Sequence, residues 1–467
     1  MTQELVKQHS WKSAWKGLDA TEKENVFVVG DKYKAFLDAG KTERLATREI
    51  IRQAKAAGFE DLNEWIAAGK KPEAGVKLFA ENKDKSVALF VMGTEATSAG
   101  MTVIGSHLDA PRLDVKPFPL YEDTGLGLMK THYYGGVKKY QWTTIPLALH
   151  GVVFNKEGKK INIAIGDRPE DPVLFITDLL IHLSKDQMGK KLAEGITGEE
   201  LNVVMGSIPL ETEEEKQLIK QNILQILKAE YDMEELDFTT AELEIVPAGQ
   251  ARDVGLDRGM IAAYGHDDRV CAFTTLQAIL EIDAPTKTAV GLFMDKEEIG
   301  NTGNTGADSR FFEDTVAEVI ALQEDYSDLK VRRAFRKTEV LSADVGAALD
   351  PTFPSVHDKR NAAVVGNGVQ LVKYTGARGK AGCNDANAEF VSKVRGILDD
   401  AGIVWQVGEL GKIDQGGGGT FAYALAQLGA EAVDMGVPVL GMHSPYELVS
   451  KVDVYMTYKA YKAFMNR

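Results

Sequence analysis

At 467 residues the chain has the length of two or three domains, and its 44% hydrophobic and 26% charged content excludes a disordered or fibrous protein. Acidic residues exceed basic ones by 69 − 54 = 15, and a net charge of −15 argues against a general binder of nucleic acid or anionic membrane. Two cysteines, Cys271 and Cys383, with no CxxC pair, exclude a disulfide framework and a thiolate zinc site.

In chain order, the first twenty residues carry no apolar signal core and no small-residue cleavage site, so a cytoplasmic location is expected. No apolar run reaches the roughly 18 residues of a membrane span. Helical spacing runs from Thr21 to Leu37 and from Lys41 to Ala57, followed by buried-strand patterns at Ser86 to Gly93 and Met101 to Asp109. From Ala110 the texture changes. Short alternating runs such as TTIPLALHGVVF (143–154) and INIAIGD (161–167) predict a β-rich unit, closed by an amphipathic helix in EEEKQLIKQNILQILKAE (213–230).

After Gly249 strand and helix alternate again, with apolar runs ending before Asp295, Asp344, Gly408 and His443. The pattern predicts an α/β domain with a sheet covered on both faces, built from residues 1–116 and 250–467 and interrupted by an insert at 117–249. The basic cluster KVRRAFRK (330–337) reads as a solvated helix face.

The chemistry-bearing residues fall just after apolar strands, where the crevices of α/β sheets open. His107 and Asp109 follow one strand, Glu297 and Glu298 a second, Asp344 a third and His443 a fourth. A lone histidine there is usually structural; four strand ends carrying only His, Asp and Glu are a donor set. Imidazole and carboxylate without thiolate suit zinc, cobalt or manganese, with zinc the commonest choice. Two residues apart on an extended segment, Asp109 can orient His107. In YGHDDR (264–269), His266, Asp267 and Asp268 precede an apolar helix, and for the two aspartates N-capping is the plainer reading.

Glu297 and Glu298 are the most telling pair. On an extended backbone they face opposite sides, so one can ligate a metal while the other takes a proton from water, the division that hydrolysis needs. Ser444-Pro445-Tyr446-Glu447 matches a capping box, which predicts a helix starting straight after His443. GNTGNTG (300–306) reads as a backbone turn near Glu298. DQGGGGT (414–420) reads as a tight loop or as a cradle for a substrate carbonyl or carboxylate.

In this order, GSHLDAPRLDVKP (105–117), YGHDDRVCAFTTLQAI (264–279), DKEEIGNTG (295–303), LSADVG (341–346) and GMHSP (441–445) resemble the aspartyl aminopeptidases, the family-eighteen metallopeptidases, over nearly the whole chain. The resemblance implies a di-zinc exopeptidase with an α/β sandwich catalytic domain, an inserted dimerisation domain and assembly into tetrahedral dodecamers. It implies that His107 and Asp344 serve one ion and Glu298 and His443 the other, with Asp267 bridging. Asp109 would then orient His107, and Glu297 would be the general base. His182, in LLIHLSKD (179–186), would reach a neighbouring subunit's site; by its own spacing it is only part of an amphipathic helix face.

Two departures stand out: Asp268 replaces the Asn of relatives and Ala347 replaces a His. They leave the metal set intact but put the family's preference for N-terminal Asp or Glu in doubt. A cationic pocket for such a side chain would come from Lys373, Arg378 and Lys380 in VKYTGARGKAG (372–382), a stretch that reads equally as a solvent-facing hairpin. The expected protein is therefore a metalloaminopeptidase acting on peptides as a homo-oligomer, with no nucleic-acid or membrane partner. The alternatives are broad or neutral specificity, or a catalytically silent, metal-loaded peptide-binding scaffold. A nucleotide-dependent enzyme lacks any phosphate-binding motif here.

Overall fold

The structure, a computed structural model, describes residues 12–212, 216–382 and 384–467. The first eleven residues of the stretch read for a signal, the start of the 213–230 segment and Cys383 lie outside these. The chain divides into two compact units, the first comprising residues 1–109, 251–442 and 447–467, the second Ala110–Gln250 with His443–Tyr446.

The first unit is mixed α/β. Its main sheet has nine strands in the order Glu60–Asp61, Lys77–Asn82, Ser86–Val91, Thr288–Met294, Met101–His107, Glu339–Ser342, Glu431–Gly436, Val369–Val372, Trp405–Val407. The side chains alternate between two cores, as a period of two requires. Leu89, Ile104, Ala289 and Leu341 join Tyr33, Ile50, Phe273 and Phe464 on one face. Phe90, Val103, Val290 and Val340 join Phe312, Val316 and Phe335 on the other. The predicted helices appear at Ala20–Ala39 and Glu43–Ala56, capped by the side chains of Asp19 and Thr42. The basic cluster lies on the helix Asp328–Arg336, with Arg332 and Arg333 exposed.

Three central strands are in a shared register. Met101–His107 pairs parallel to Thr288–Met294, with His107 opposite Met294, and parallel to Glu339–Ser342, with Ser342 opposite Gly105. All three therefore end on the same side.

The second unit carries a seven-stranded sheet whose members include Arg112–Asp123, Leu126–Tyr134, Leu147–Phe154 and Lys160–Ile165, packed by the helix Leu218–Tyr231. The unit reaches back to Ala110, ahead of residue 117, because the strand beginning at Arg112 continues unbroken through 117. No helix among the described residues is long and apolar enough to cross a membrane.

One expectation fails. No helix follows His443: residues 441–446 form turns and bends, and Glu447–Ser450 is a strand paired to Met260–Ala263 and Pro438–Leu440, with the helix beginning only at Lys451. The capping residues are engaged elsewhere. The Ser444 hydroxyl donates to the Tyr446 carbonyl at 2.5 Å, and the Glu447 carboxylate accepts the Asp267 N–H at 3.1 Å.

Candidate metal centre

The parallel strands deliver His107, the Glu297–Glu298 pair and Asp344 just past their carboxyl ends, and the segment 266–269 faces them. Two triads of potential ligand atoms lie within 4.8 Å of one another: His107 with Glu297 and Asp344, and His107 with Asp267 and Glu298. Four of the expected carboxylates thus meet around one imidazole. His107 is buried. Its Nδ1 donates to the Asp109 carbonyl at 2.9 Å, which leaves Nε2 facing Asp267 Oδ1 at 3.1 Å, Asp344 Oδ1 at 3.9 Å and Glu297 Oε2 at 4.0 Å.

Asp109 contacts both His107 and the glutamate pair, in a pattern the sequence did not suggest. Its carboxylate sits 3.3 Å from His107 Nδ1, but the closer partner of that nitrogen is its carbonyl. The carboxylate accepts the N–H groups of Glu297 and Glu298, each at 3.1 Å. The two glutamates are not extended either. They occupy a single 3-10 turn, Glu297–Ile299, following Lys296 at φ 68°, and the turn sends their carboxylates to different triads.

Asp267 and Asp268 stand at a kink just before the run of helix over 269–280: both have non-helical dihedrals, and the peptide between them is cis. Asp268 is fully buried, and its Oδ2 accepts the His107 N–H at 3.3 Å. Burial pushes its carboxyl well above the usual range, which favours the neutral form; that form presents a carbonyl oxygen as an Asn would. Gly436 lets the Asp344 backbone approach, since a Cβ there would stand 1.9 Å from the Asp344 carbonyl oxygen.

The electrostatics call for positive charge. Burial raises Asp344, with further upward pressure from Asp268. Burial alone would lower His107, yet hydrogen bonds to Asp109 and Asp267 and the charge of Asp344 hold it well above its ordinary value. Carboxylates packed around one nitrogen at coordination range are the donor set of a divalent ion of the zinc kind, and these residues fit one. Asp295, at the strand end, is pushed to about 7 by burial and by Glu43 and Asp109.

The remaining candidates lie elsewhere. His443 belongs to neither triad; it groups with the second unit, where it has φ 66° and its Nδ1 donates to the Gly136 carbonyl at 3.0 Å, leaving Nε2 as the nitrogen with a lone pair. His182 lies in an exposed 3-10 turn, Ile181–Leu183, rather than on a helix face. Lys373, Arg378 and Lys380 are exposed. The Lys380 ammonium is bound to Asp385 at 2.9 Å and sits 3.9 Å from the centroid of the Tyr374 ring. The stretch Gly376–Ala377 pairs with Gly417–Gly418, so the glycine run serves close backbone approach: a Cβ at Gly417 would fall 2.5 Å from the Ala377 Cα.

Sequence reasoning missed Glu447, which holds the Asp267 N–H, and Tyr33, whose hydroxyl lies 2.6 Å from His266 Nδ1. Both are far from their partners in sequence, and neither carries a local motif that could have signalled the contact.

Residues 36–465 match the family model described as Aminopeptidase I zinc metalloprotease (M18). The chain is 48% identical over 466 residues to the probable M18 family aminopeptidase 1 of Clostridium acetobutylicum, covering all of both chains. It is 46% identical to that of Thermotoga maritima, over 96% of this chain and 97% of the other. The crystal structure of the M18 aminopeptidase from Thermotoga maritima superposes with a TM-score of 0.93 at 44% identity, over 98% of this chain and 100% of that one. Aminopeptidase I from Clostridium acetobutylicum gives 0.92 at 45%, over 99% and 100%. At 19% identity, the S. cerevisiae mApe1 dodecamer shares the fold with a TM-score of 0.75, over 94% of this chain and 97% of that one.

Proposed function

Because the chain belongs to the M18 family of zinc aminopeptidases, we propose that it removes the N-terminal residue of peptides with two divalent ions, zinc the first choice. The observation that carries this reading is the convergence of His107, Asp267, Glu297, Glu298 and Asp344 within coordination range at three neighbouring strand ends and the facing segment. His107 and Asp344 would hold one ion and Glu298 the other, with Asp267 serving both. When bound, such ions supply Lewis acidity to the scissile carbonyl and lower the pKa of water.

The protein's own contribution is position and proton transfer. Asp109 fixes the turn that separates Glu297 from Glu298. Glu297 Oε2 would accept the proton of the attacking water and pass it to the leaving amine. A binding scaffold would need the ligands but not this base, so the intact pair favours an enzyme over a silent relative.

Substitution E297Q should leave metal content near that of the wild type and lower turnover by about 10²- to 10⁴-fold. A fully active variant would discard the assignment. Chelation should abolish activity, and zinc should restore it.

Side-chain preference belongs to the same proposal. Lys373, Arg378 and Lys380 supply the cationic loop that an acidic N-terminal residue would need, but Asp385 already meets Lys380. That ion pair favours a broader or neutral preference. Hydrolysis of Asp-, Glu-, Leu- and Lys-chromogenic amides decides: a strong preference for Asp or Glu would overturn the neutral reading.

Assembly as a homo-oligomer in a cytoplasmic setting completes the reading. In the second unit Leu179, Leu180, Ile181, Leu183, Met188 and Leu192 are all exposed, an apolar stretch that a second copy would cover. His182 lies inside it, which supports action in a neighbouring subunit and a dimerising role for this unit.

A further inference from the structure

His266 precedes Asp267, yet its imidazole is no metal ligand. The ring is fully buried, with Nε2 3.1 Å from the Ile261 carbonyl oxygen and Nδ1 2.6 Å from the Tyr33 hydroxyl. A carbonyl only accepts, so Nε2 carries the hydrogen. Nδ1 then holds a lone pair, and the Tyr33 O–H must donate to it. Both nitrogens are used, and the tautomer is set by chemistry rather than by choice.

Around it, each neighbour is tied to a different part of the fold. Asp267 N–H donates to Glu447 on the strand Glu447–Ser450. Asp268 accepts the His107 N–H. Arg269 donates from Nε to the Leu108 carbonyl at 3.2 Å. Tyr33, fully buried in the helix Ala20–Ala39, packs its ring at a tilt against His266 and Phe273, with centroids 5.5 Å and 5.1 Å away. The segment 266–269 is therefore tied to four other parts of the fold, through the backbone at Asp267 and through side chains at His266, Asp268 and Arg269, while Asp267 Oδ1 reaches His107 Nε2 at 3.1 Å.

We propose that Tyr33, acting through His266, is a positioning residue for the metal-binding carboxylate of Asp267. This rests on the di-metal reading above. Its function is to hold His266 at one rotamer and tilt, so that the peptide leading into Asp267 presents the carboxylate to the centre before any ion arrives. Pre-orienting a ligand in this way raises metal affinity, because less conformational freedom is lost on binding.

The test is zinc titration of the metal-free full-length protein against a chromophoric competitor, for wild type, Y33F and T457V. Thr457 is an equally buried hydroxyl that donates within its own helix, to the Asp453 carbonyl, and serves as the control for loss of a core hydrogen bond. Y33F should bind the more weakly held ion about 10-fold less tightly. Its kcat should fall at constant zinc while KM stays unchanged, and T457V should match the wild type. If Y33F does not fold, H266Q replaces it: its amide can still donate to Ile261 but no longer meets the Tyr33 hydroxyl in the same place, and the same loss is expected. Wild-type zinc affinity in the folded variant, or an equal loss in T457V, would overturn the proposal. A wild type that fails to bind two ions would instead overturn the di-metal reading, so the two failures are distinguishable.

Discussion

The carboxylate of Asp109 is divided between two peptide N–H groups, those of Glu297 and Glu298, so one buried acid sets the direction of two others. Charge is not what that role needs; two acceptor oxygens are. In D109N one oxygen becomes an amide donor that faces an N–H, and the turn at Glu297 must shift. Metal affinity should fall about 10- to 100-fold, read by competition with a chelating dye, whereas an unchanged affinity would mean the turn holds itself. Asp268 illustrates the complementary case: its Oδ2 accepts the His107 N–H, and burial pushes its carboxyl well above the usual range.

Between elements, the helix Lys451–Met465 is joined to the loop before the strand Val369–Val372 by one buried acid. Asp453 accepts the N–H groups of Gly366 and Gly368, each at 2.7 Å. Burial nonetheless pushes it up to about 7, against the pull of those amides. The folded chain then keeps a proton that the unfolded chain, with an Asp near 3.9, has lost. This group's contribution to stability is therefore complete below about pH 4 and is lost as pH rises toward 7. Compared with D453N, the wild type should lose up to about 4 kcal/mol between pH 4 and 8. Urea midpoints of the two proteins across that range would show it, and parallel curves would refute it.

The elements themselves were legible where periodicity was strong. The helices near residues 20 and 43, the strands at 86, 101 and 288, and the placing of His107, Glu297, Glu298 and Asp344 after strand ends all follow from apolar runs and the loops that punctuate them. What failed was local grammar overruled by distant partners. Ser444 to Glu447 reads as a capping box, but a strand partner at Met260–Ala263 and the Asp267 amide claim it first. Asp267 and Asp268 read as caps, and their contacts to His107 are nowhere signalled by that local pattern. Spacing along a sequence cannot reveal a partner 180 residues away.

For the molecule as a whole, the apolar stretch of the second unit sets the expectation. Leu180 is 53% exposed, Ile181 69% and Leu183 68%, side chains that a monomer in water would rarely display together. If the proposed homo-oligomer forms through this stretch, I181D/L183D should dissociate it without changing the metal content of each subunit, as light scattering and metal analysis would report. If His182 acts in a neighbour's site, the dissociated form should also lose activity. A variant that keeps the wild-type particle mass would mean that other surfaces hold the copies together.

The register of the three central strands also imposes a schedule on synthesis. Met101–His107 leaves the ribosome early, but its partners on either side, Thr288–Met294 and Glu339–Ser342, come only after the stretch Ala110–Gln250 of the second unit has been made. Until then a strand that ends up buried along its whole length waits without neighbours, a natural client for a chaperone. Over the same interval the nascent chain holds a histidine with no Glu297, Glu298 or Asp344 to join it. The candidate centre thereby stays incomplete until at least residue 344 has been made, and a product truncated before it would lack Asp344.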